Sequence, residues 1–155
     1  MTVPEHIINY IANEPLVFWA GNIGSHGFCD IIRSAGVTIH EGGAHLTFFI
    51  TTPYSSHLLK NLHYGEEVSL LITSVASFES YQFKGEFLSS HSATDAEEKQ
   101  TICFTERILK VLKAQGINTD VLIPFIHGPK TAINFKIRVI FEQTPKQGTG
   151  KIISI

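Results

Sequence analysis

Ser80-Tyr81-Gln82-Phe83-Lys84-Gly85 reads as a strand whose alternate side chains face opposite ways. Tyr81 and Phe83 lie to one side, Gln82 and Lys84 to the other, and Glu86 and Phe87 extend the alternation. Such a segment belongs in an antiparallel sheet with one face on a core and the other in water. On the polar face a neutral amide stands two residues from a cation. That pair offers donors and an acceptor beside a positive charge, which suits a polar, anionic or heteroaromatic ligand. A solvated strand face with no ligand shows the same alternation.

Working outward, other segments read as strands of the same kind. Leu16–Ala20 is one, followed by a turn over Gly21-Asn22-Ile23-Gly24-Ser25. Phe28–Ser34 is a second, continued by Val37–His40 beyond Gly36, with Glu41-Gly42-Gly43 as the hairpin connection to the next. Leu46–Thr52 is apolar on both sides, as a barrel wall or a subunit face would be. Val68–Ser74 is rich in branched residues, and Phe78–Ser89 contains the opening stretch. Ile133, Phe135, Ile137, Val139 and Phe141 alternate with Asn134, Lys136 and Arg138 in a last strand. Val121–Ile126 reads as a short edge segment.

Three helices punctuate the strands. The first starts with Pro4 at its first helical position, puts Ile7, Ile8 and Ile11 on one face and stops before Pro15. The second runs from Pro53 through Leu62 with Leu58, Leu59 and Leu62 at helical spacing. The third opens on the capping box Thr94-Asp95-Ala96-Glu97 and ends at Gly116. Its expected core stripe is Ile102, Thr105, Ile108, Leu109 and Leu112. About six antiparallel strands with three flanking helices predict an α+β, mainly β, fold closing a small barrel, as one domain over residues 1–155.

Composition narrows the function. With 43% hydrophobic and 17% charged residues the chain is a folded globule, and eleven Phe imply an aromatic core. A net charge of -2 without a basic, aromatic-interleaved stripe argues against a nucleic-acid surface. No apolar run is long enough to cross a bilayer and no signal peptide is visible. Cys29 and Cys103 form no CxxC pair, so a reducing, cytosolic compartment is expected. Cys103 is expected to be a buried, inert thiol beside the stripe of the long helix. The eight histidines lack HxxEH or HxH spacing, which favours surface and turn positions over a metal centre. No GxSxG elbow marks a nucleophilic serine, and no catalytic side chain is assigned.

The order of these pieces resembles the flavin-binding split-barrel family, relatives of pyridoxamine 5′-phosphate oxidase. The resemblance rests on Leu46-Thr-Phe-Phe-Ile-Thr-Thr52 followed by Ser55-Ser56-His57 at a Leu-rich helix, and on Arg33-Ser34-Ala35-Gly36-Val37. Tyr81-Gln82-Phe83-Lys84-Gly85 and the ending Gln143-Thr144-Pro145-Lys146-Gln147-Gly148-Thr149-Gly150 are similar to a subgroup of it. It spans roughly residues 15–150. It implies a homodimer of six-stranded split β-barrels, with FMN between subunits and redox chemistry on an unknown small molecule. Carried over by position, Thr51 and Thr52, then Ser55, Ser56 and His57, then Arg33 would hold the phosphate, and Gln82 and Lys84 would approach the ring edge. The Arg-Lys pair usual in the family's phosphate turn is replaced here by Ser56-His57. No counterpart of the oxidase's C-terminal Trp- and Arg-containing segment follows Phe141, so the vitamin B6 reaction is not implied. The alternative is a non-enzymatic flavin- or haem-binding module of the same fold with a degenerate phosphate site.

Overall fold

The computed structural model describes residues 2–23, 27–40 and 42–154. The sequence folds into α1 (Glu5–Asn13), β1 (Leu16–Ile23), β2 (Cys29–Ile39), β3 (His45–Thr51), α2 (Ser56–Asn61), β4 (Glu67–Ser74), β5 (Ser80–Ser92), α3 (Asp95–Ala114), α4 (Ile123–His127), β6 (Lys130–Glu142) and β7 (Lys151–Ser154). All strand pairs are antiparallel, in the order β3-β2-β1-β4-β5-β6-β7. A further β3–β6 pairing closes six of them into a barrel. The expected six-stranded antiparallel barrel with flanking helices is therefore the fold.

β7 was not expected from the sequence. It pairs with β6 at Ile140–Glu142, along the part of β6 that β3, ending its register at Lys136, leaves uncovered.

The interior is aromatic. Phe18, Phe48, Phe49, Phe83 and Phe135 are fully buried, and burying each such ring stabilises the fold by about 1.5–3 kcal/mol. Gly85 makes the closure possible. A Cβ there would lie 1.9 Å from the Lys136 backbone oxygen, at the bulge where β5 shifts register on β6. Gly36, at the β2 bulge, leaves room for Phe104 of α3, whose ring would stand 2.7 Å from an added Cβ. Phe104 also packs edge-on to Phe18 with centroids 5.1 Å apart.

Helices cover the barrel, with several shifts from expectation. α3 has the Thr94–Glu97 capping box, but its buried stripe is Thr101, Phe104 and Ile108, and Ile102 faces water. Phe104 sets that phase by entering the space at Gly36. Cys103 is consequently exposed, not buried. In α1, Pro4 caps the helix from outside it, and Tyr10 takes the buried place expected for Ile8. Arg107 of α3 donates to Ala12 O at 2.6 Å and to Ile11 O and Glu14 O, satisfying the orphan carbonyls that end α1.

Residues 120–127 are helical rather than an edge strand: a 3₁₀ turn Asp120–Leu122 runs into α4. Buried Lys130 donates its Nζ to Ile126 O at 2.7 Å and Gly128 O at 3.0 Å, capping that helix, and burial lowers its pKa. β1 continues through Gly21–Ile23, where a turn was expected. Gly24, Ser25 and His26 of that expected turn and loop, and Glu41 of the hairpin, lie outside the described residues. Among the described residues no helix is long and apolar enough to cross a membrane.

Candidate functional site

The pleat of five neighbouring strands assembles a face on the outside of the barrel. One cross-strand row runs Arg33 (β2), Trp19 (β1), Leu71 (β4), Gln82 (β5) and Phe141 (β6). The next runs Ile31, Gly21, Ser69, Lys84 and Val139. Residues two apart on a strand share a face, so Arg33, Gln82 and Lys84 all belong to one surface. Tyr81 and Phe83 point the other way, into the core.

The centre of this face is apolar and open. Trp19 is 45% exposed and Ile31 72%, and Gly21 between them leaves a shallow hollow. A groove of about 190 Å³ lies there, lined among others by Gly21, Ile31, Ser69, Gln82 and Lys84. Gln82 Oε1 accepts from Gln143 Nε2 at 2.9 Å, which leaves the Gln82 amide N–H groups as its remaining donors. Gln143 was named only as the start of the family-like ending; its place beside Gln82, just after β6 ends, follows from the β5–β6 register. The Lys84 ammonium stands 5.6 Å from the Phe141 ring centroid.

Arg33 ends the first row. It is half-buried, it makes no hydrogen bond or ion pair among the described residues, and burial lowers its pKa. It borders a small cleft with Ser34, Thr51 and the Thr105–Leu109 turn of α3. A guanidinium desolvated without a counter-charge is a place prepared for an anion.

The expected phosphate turn is organised differently. Pro53 sits in a 3₁₀ turn, Thr52–Tyr54, and α2 opens only at Ser56, with six residues. Ser55 is buried, and its hydroxyl donates to Thr51 O at 2.8 Å, so it does not face a ligand as expected. Thr52 Oγ1 shares a hydrogen bond with Thr131 Oγ1 at 2.9 Å, and Thr51 is buried. Ser56 and His57 are exposed, and His57 Nδ1 lies 2.7 Å from Asp30 Oδ1. Asn61 Nδ2 donates to the other Asp30 oxygen at 2.8 Å, and that bond chiefly lowers the Asp30 pKa.

Asp30 was not foreseen as part of the site. It lies opposite Asn22 on β2 and also lines the groove of Gln82 and Lys84, while Arg33 shares its cleft with Thr51, so the strand and turn candidates form two adjoining clusters. The first cluster, Arg33, Gln82 and Lys84, supplies the cations and amide donors that an anionic heteroaromatic ligand such as FMN would need. The second would offer an anion a carboxylate and hydroxyls already bonded to neighbours.

No protein-family model matches the sequence, and no curated protein matches it. Solved structures do. The HupZ protein of Group A Streptococcus is similar over 97% of this chain and 99% of its own, with a TM-score of 0.57 at 10% identity. A Clostridium acetobutylicum protein of the pyridoxinephosphate oxidase family, related to general stress protein 26, matches over 97% and 91% with a TM-score of 0.53 at 14% identity. A pyridoxamine 5′-phosphate oxidase-related, FMN-binding protein from Nostoc punctiforme matches over 97% and 96% with a TM-score of 0.52 at 8% identity. The chain thus has the split-barrel fold of the pyridoxamine 5′-phosphate oxidase-like proteins.

Proposed function

We propose that this protein is a homodimeric, FMN-binding oxidoreductase whose flavin lies on the Arg33–Phe141 row, beneath a second copy of the chain. The observation that carries this reading is Arg33, a half-buried cation without a partner among the described residues, at the end of a row that runs through Trp19 and Leu71 to Gln82 and Phe141, with Lys84 in the next row. From Arg33 to Gln82 the row crosses three strand spacings, about 14 Å, which suits a planar ring with an extended anionic tail. A Trp and an Ile left open in the middle of a sheet point to a covered surface. A second copy burying on the order of 1,600 Å² in total would cover it.

FMN, when bound, supplies the electron or hydride transfer at its ring. The chain's own residues bind and tune. Arg33 pairs with the phosphate, Gln82 donates its amide N–H groups to the ring's polar edge, and Lys84 offsets the negative charge that reduction adds. No side chain is assigned as a general base.

A second reading is favoured by the turn. With the Ser55 hydroxyl given to the backbone and His57 held by Asp30, the phosphate site is degenerate, and the dimer serves as a non-enzymatic flavin- or haem-binding module. An absorbance scan of the purified protein followed by FMN titration separates the two. Flavin bands, or micromolar FMN binding by a dimer in light scattering, support the first. A Soret band supports the second, and a colourless dimer that ignores FMN is an empty scaffold and overturns both. A monomer that binds no flavin overturns both. In the FMN-loaded protein, Lys84→Met is expected to lower the two-electron potential by on the order of 30 mV, for about 1.4 kcal/mol of lost stabilisation; an unchanged potential removes Lys84 from the ring.

A further inference from the structure

Among the described residues Lys130 is the one fully charged side chain that is buried, at 5% exposure. It opens β6 directly opposite Thr51 of β3, and residues opposed across antiparallel strands share a face. On the other side of β3, Arg33 and Thr51 each stand one residue past the Ser34–Ile50 pair, and both border the same cleft. Beyond Arg33 the row therefore passes under α3 and α4, through Thr51, to Lys130. Two strand spacings, about 10 Å, separate the two cations at the backbone, and each side chain is long enough to cover half of that.

Neither cation has a counter-charge at hand. Arg33 makes no hydrogen bond or ion pair among the described residues, and Lys130 donates to backbone oxygens, Ile126 O at 2.7 Å and Gly128 O at 3.0 Å. Glu98 of α3 acts on Lys130 through space, without an ion pair. Burial lowers the pKa of both side chains. Capping a five-residue helix does not call for a charge, since a neutral donor satisfies a carbonyl equally well. Two desolvated cations beside one cleft are costly until an anion joins them.

The cleft is roofed over. It encloses about 20 Å³, room for about one water and not for a phosphate. Leu122 and Ile126, from the 3₁₀ turn and α4, close it from one side. Lys130 ties this roof down through the carbonyl of Ile126 itself, and Thr52 N donates to Pro129 O at 2.8 Å behind it. Val121 and Ile123 of the same segment are exposed, so little buried apolar surface opposes its lifting.

We propose that Lys130 is the second cation of the anion site that Arg33 begins, and that the cleft takes a dianionic phosphate group, for which Lys130 gives up the carbonyls of Ile126 and Gly128 as α4 lifts. The proposal rests on the reading of Arg33 as the partner of the phosphate. It places the second charge on β6, where Ser56 and His57 of the turn supply none that is permanent. A phosphate monoester carries about -1.5 to -2 charges at pH 7, which two cations match and a neutral tail leaves unpaired. Lys130 thus selects the phosphorylated flavin over its neutral parent, riboflavin.

Two measurements on the intact protein test it. In the first, nitrogen-15 NMR follows Lys130 Nζ and Arg33 Nε while inorganic phosphate, and separately FMN, is added at constant ionic strength. Both signals are expected to move along one binding curve, and chloride is expected to move neither. In the second, FMN and riboflavin are titrated into Lys130→Met. FMN is expected to bind about tenfold more weakly, a smaller loss than in Arg33→Met because the ammonium must leave two carbonyls, and riboflavin affinity stays unchanged. A Lys130 signal fixed under both anions overturns the proposal. If Arg33 still moves, the reading of the phosphate at Arg33 stands alone; if Arg33 is fixed too, both fall. An equal loss of FMN and riboflavin in Lys130→Met also overturns it, because Lys130 then only holds α4 in place. The NMR arm uses the unaltered protein and decides the question even where the variant fails to fold.

Discussion

Arg33, Gln82 and Lys84 stand on strands, whereas Thr51, Thr52, Ser55, Ser56 and His57 stand at a strand end and the turn after it. A strand side chain has one of two directions, fixed by the pleat, and its cross-strand neighbours are fixed by register. Once β5 turns Tyr81 and Phe83 to the core, Gln82 and Lys84 must face out, in rows that lead to Arg33 and Ile31. A hydroxyl in a turn has a competing option, its own backbone, and Ser55 takes it at Thr51 O. His57 likewise finds Asp30. Strand-borne candidates therefore form a shared surface, while Thr52, Ser55 and His57 of the turn are bonded to neighbouring groups.

The strand half depends on the barrel closing at Gly85, and the hardest way to break the contrast is there. Gly85→Ala is expected to cost at least about 3 kcal/mol, because the added carbon meets backbone and not a movable side chain. Gly36→Ala meets only the edge of the Phe104 ring and should cost about 1–2 kcal/mol. Urea unfolding of both measures the difference, and equal costs would mean that the closure can relax.

Next in size is the test of the clusters against each other. Replacing Arg33 with Met is expected to weaken FMN binding by about 10- to 150-fold, from 1.5–3 kcal/mol for a charged hydrogen bond. Stability should not fall, since the guanidinium has no partner among the described residues to lose. His57→Ala, at an exposed side chain, should change FMN affinity by less than about threefold, since exposed ion pairs contribute about 0–1 kcal/mol. The reverse ranking in an FMN titration would move the phosphate to the turn.

The same physics explains what could be read from the sequence. Period-two alternation placed β5 and β6, and Thr94 with Glu97 placed the start of α3. The phase of α3 was not legible, because Phe104 is chosen over Ile102 by a space that Gly36 creates across 68 residues of chain. Val121, Ile123 and Ile126 have strand character, yet the segment is helical where Lys130 can reach its last carbonyls. The four residues of β7 carry too little pattern to be seen before the open edge of β6 is known. In the candidate site, the Arg33–Phe141 row is a matter of register that no single strand contains. Asp30 was invisible as a partner of His57 because they lie 27 residues apart.

The smallest effect belongs to Asp30 and decides whether the turn ever meets the ligand. Its carboxyl pKa is held below the usual 3.8, first by Asn61 and then by His57. A lowered folded pKa contributes stability that is present above the unfolded value and is lost as pH falls through the folded one. Asp30→Asn should therefore flatten the acid limb of the stability curve below about pH 4 and leave neutral-pH stability little changed. Its effect on FMN is the sharper measurement. If the phosphate lies on Arg33, three residues along β2, removing the carboxylate should change FMN affinity by less than about threefold at 0.15 M salt, where charges about 8 Å apart are already screened. If affinity rises tenfold, a phosphate at Ser56 and His57 was being repelled by Asp30, and the division of the site into a working face and an idle turn is wrong.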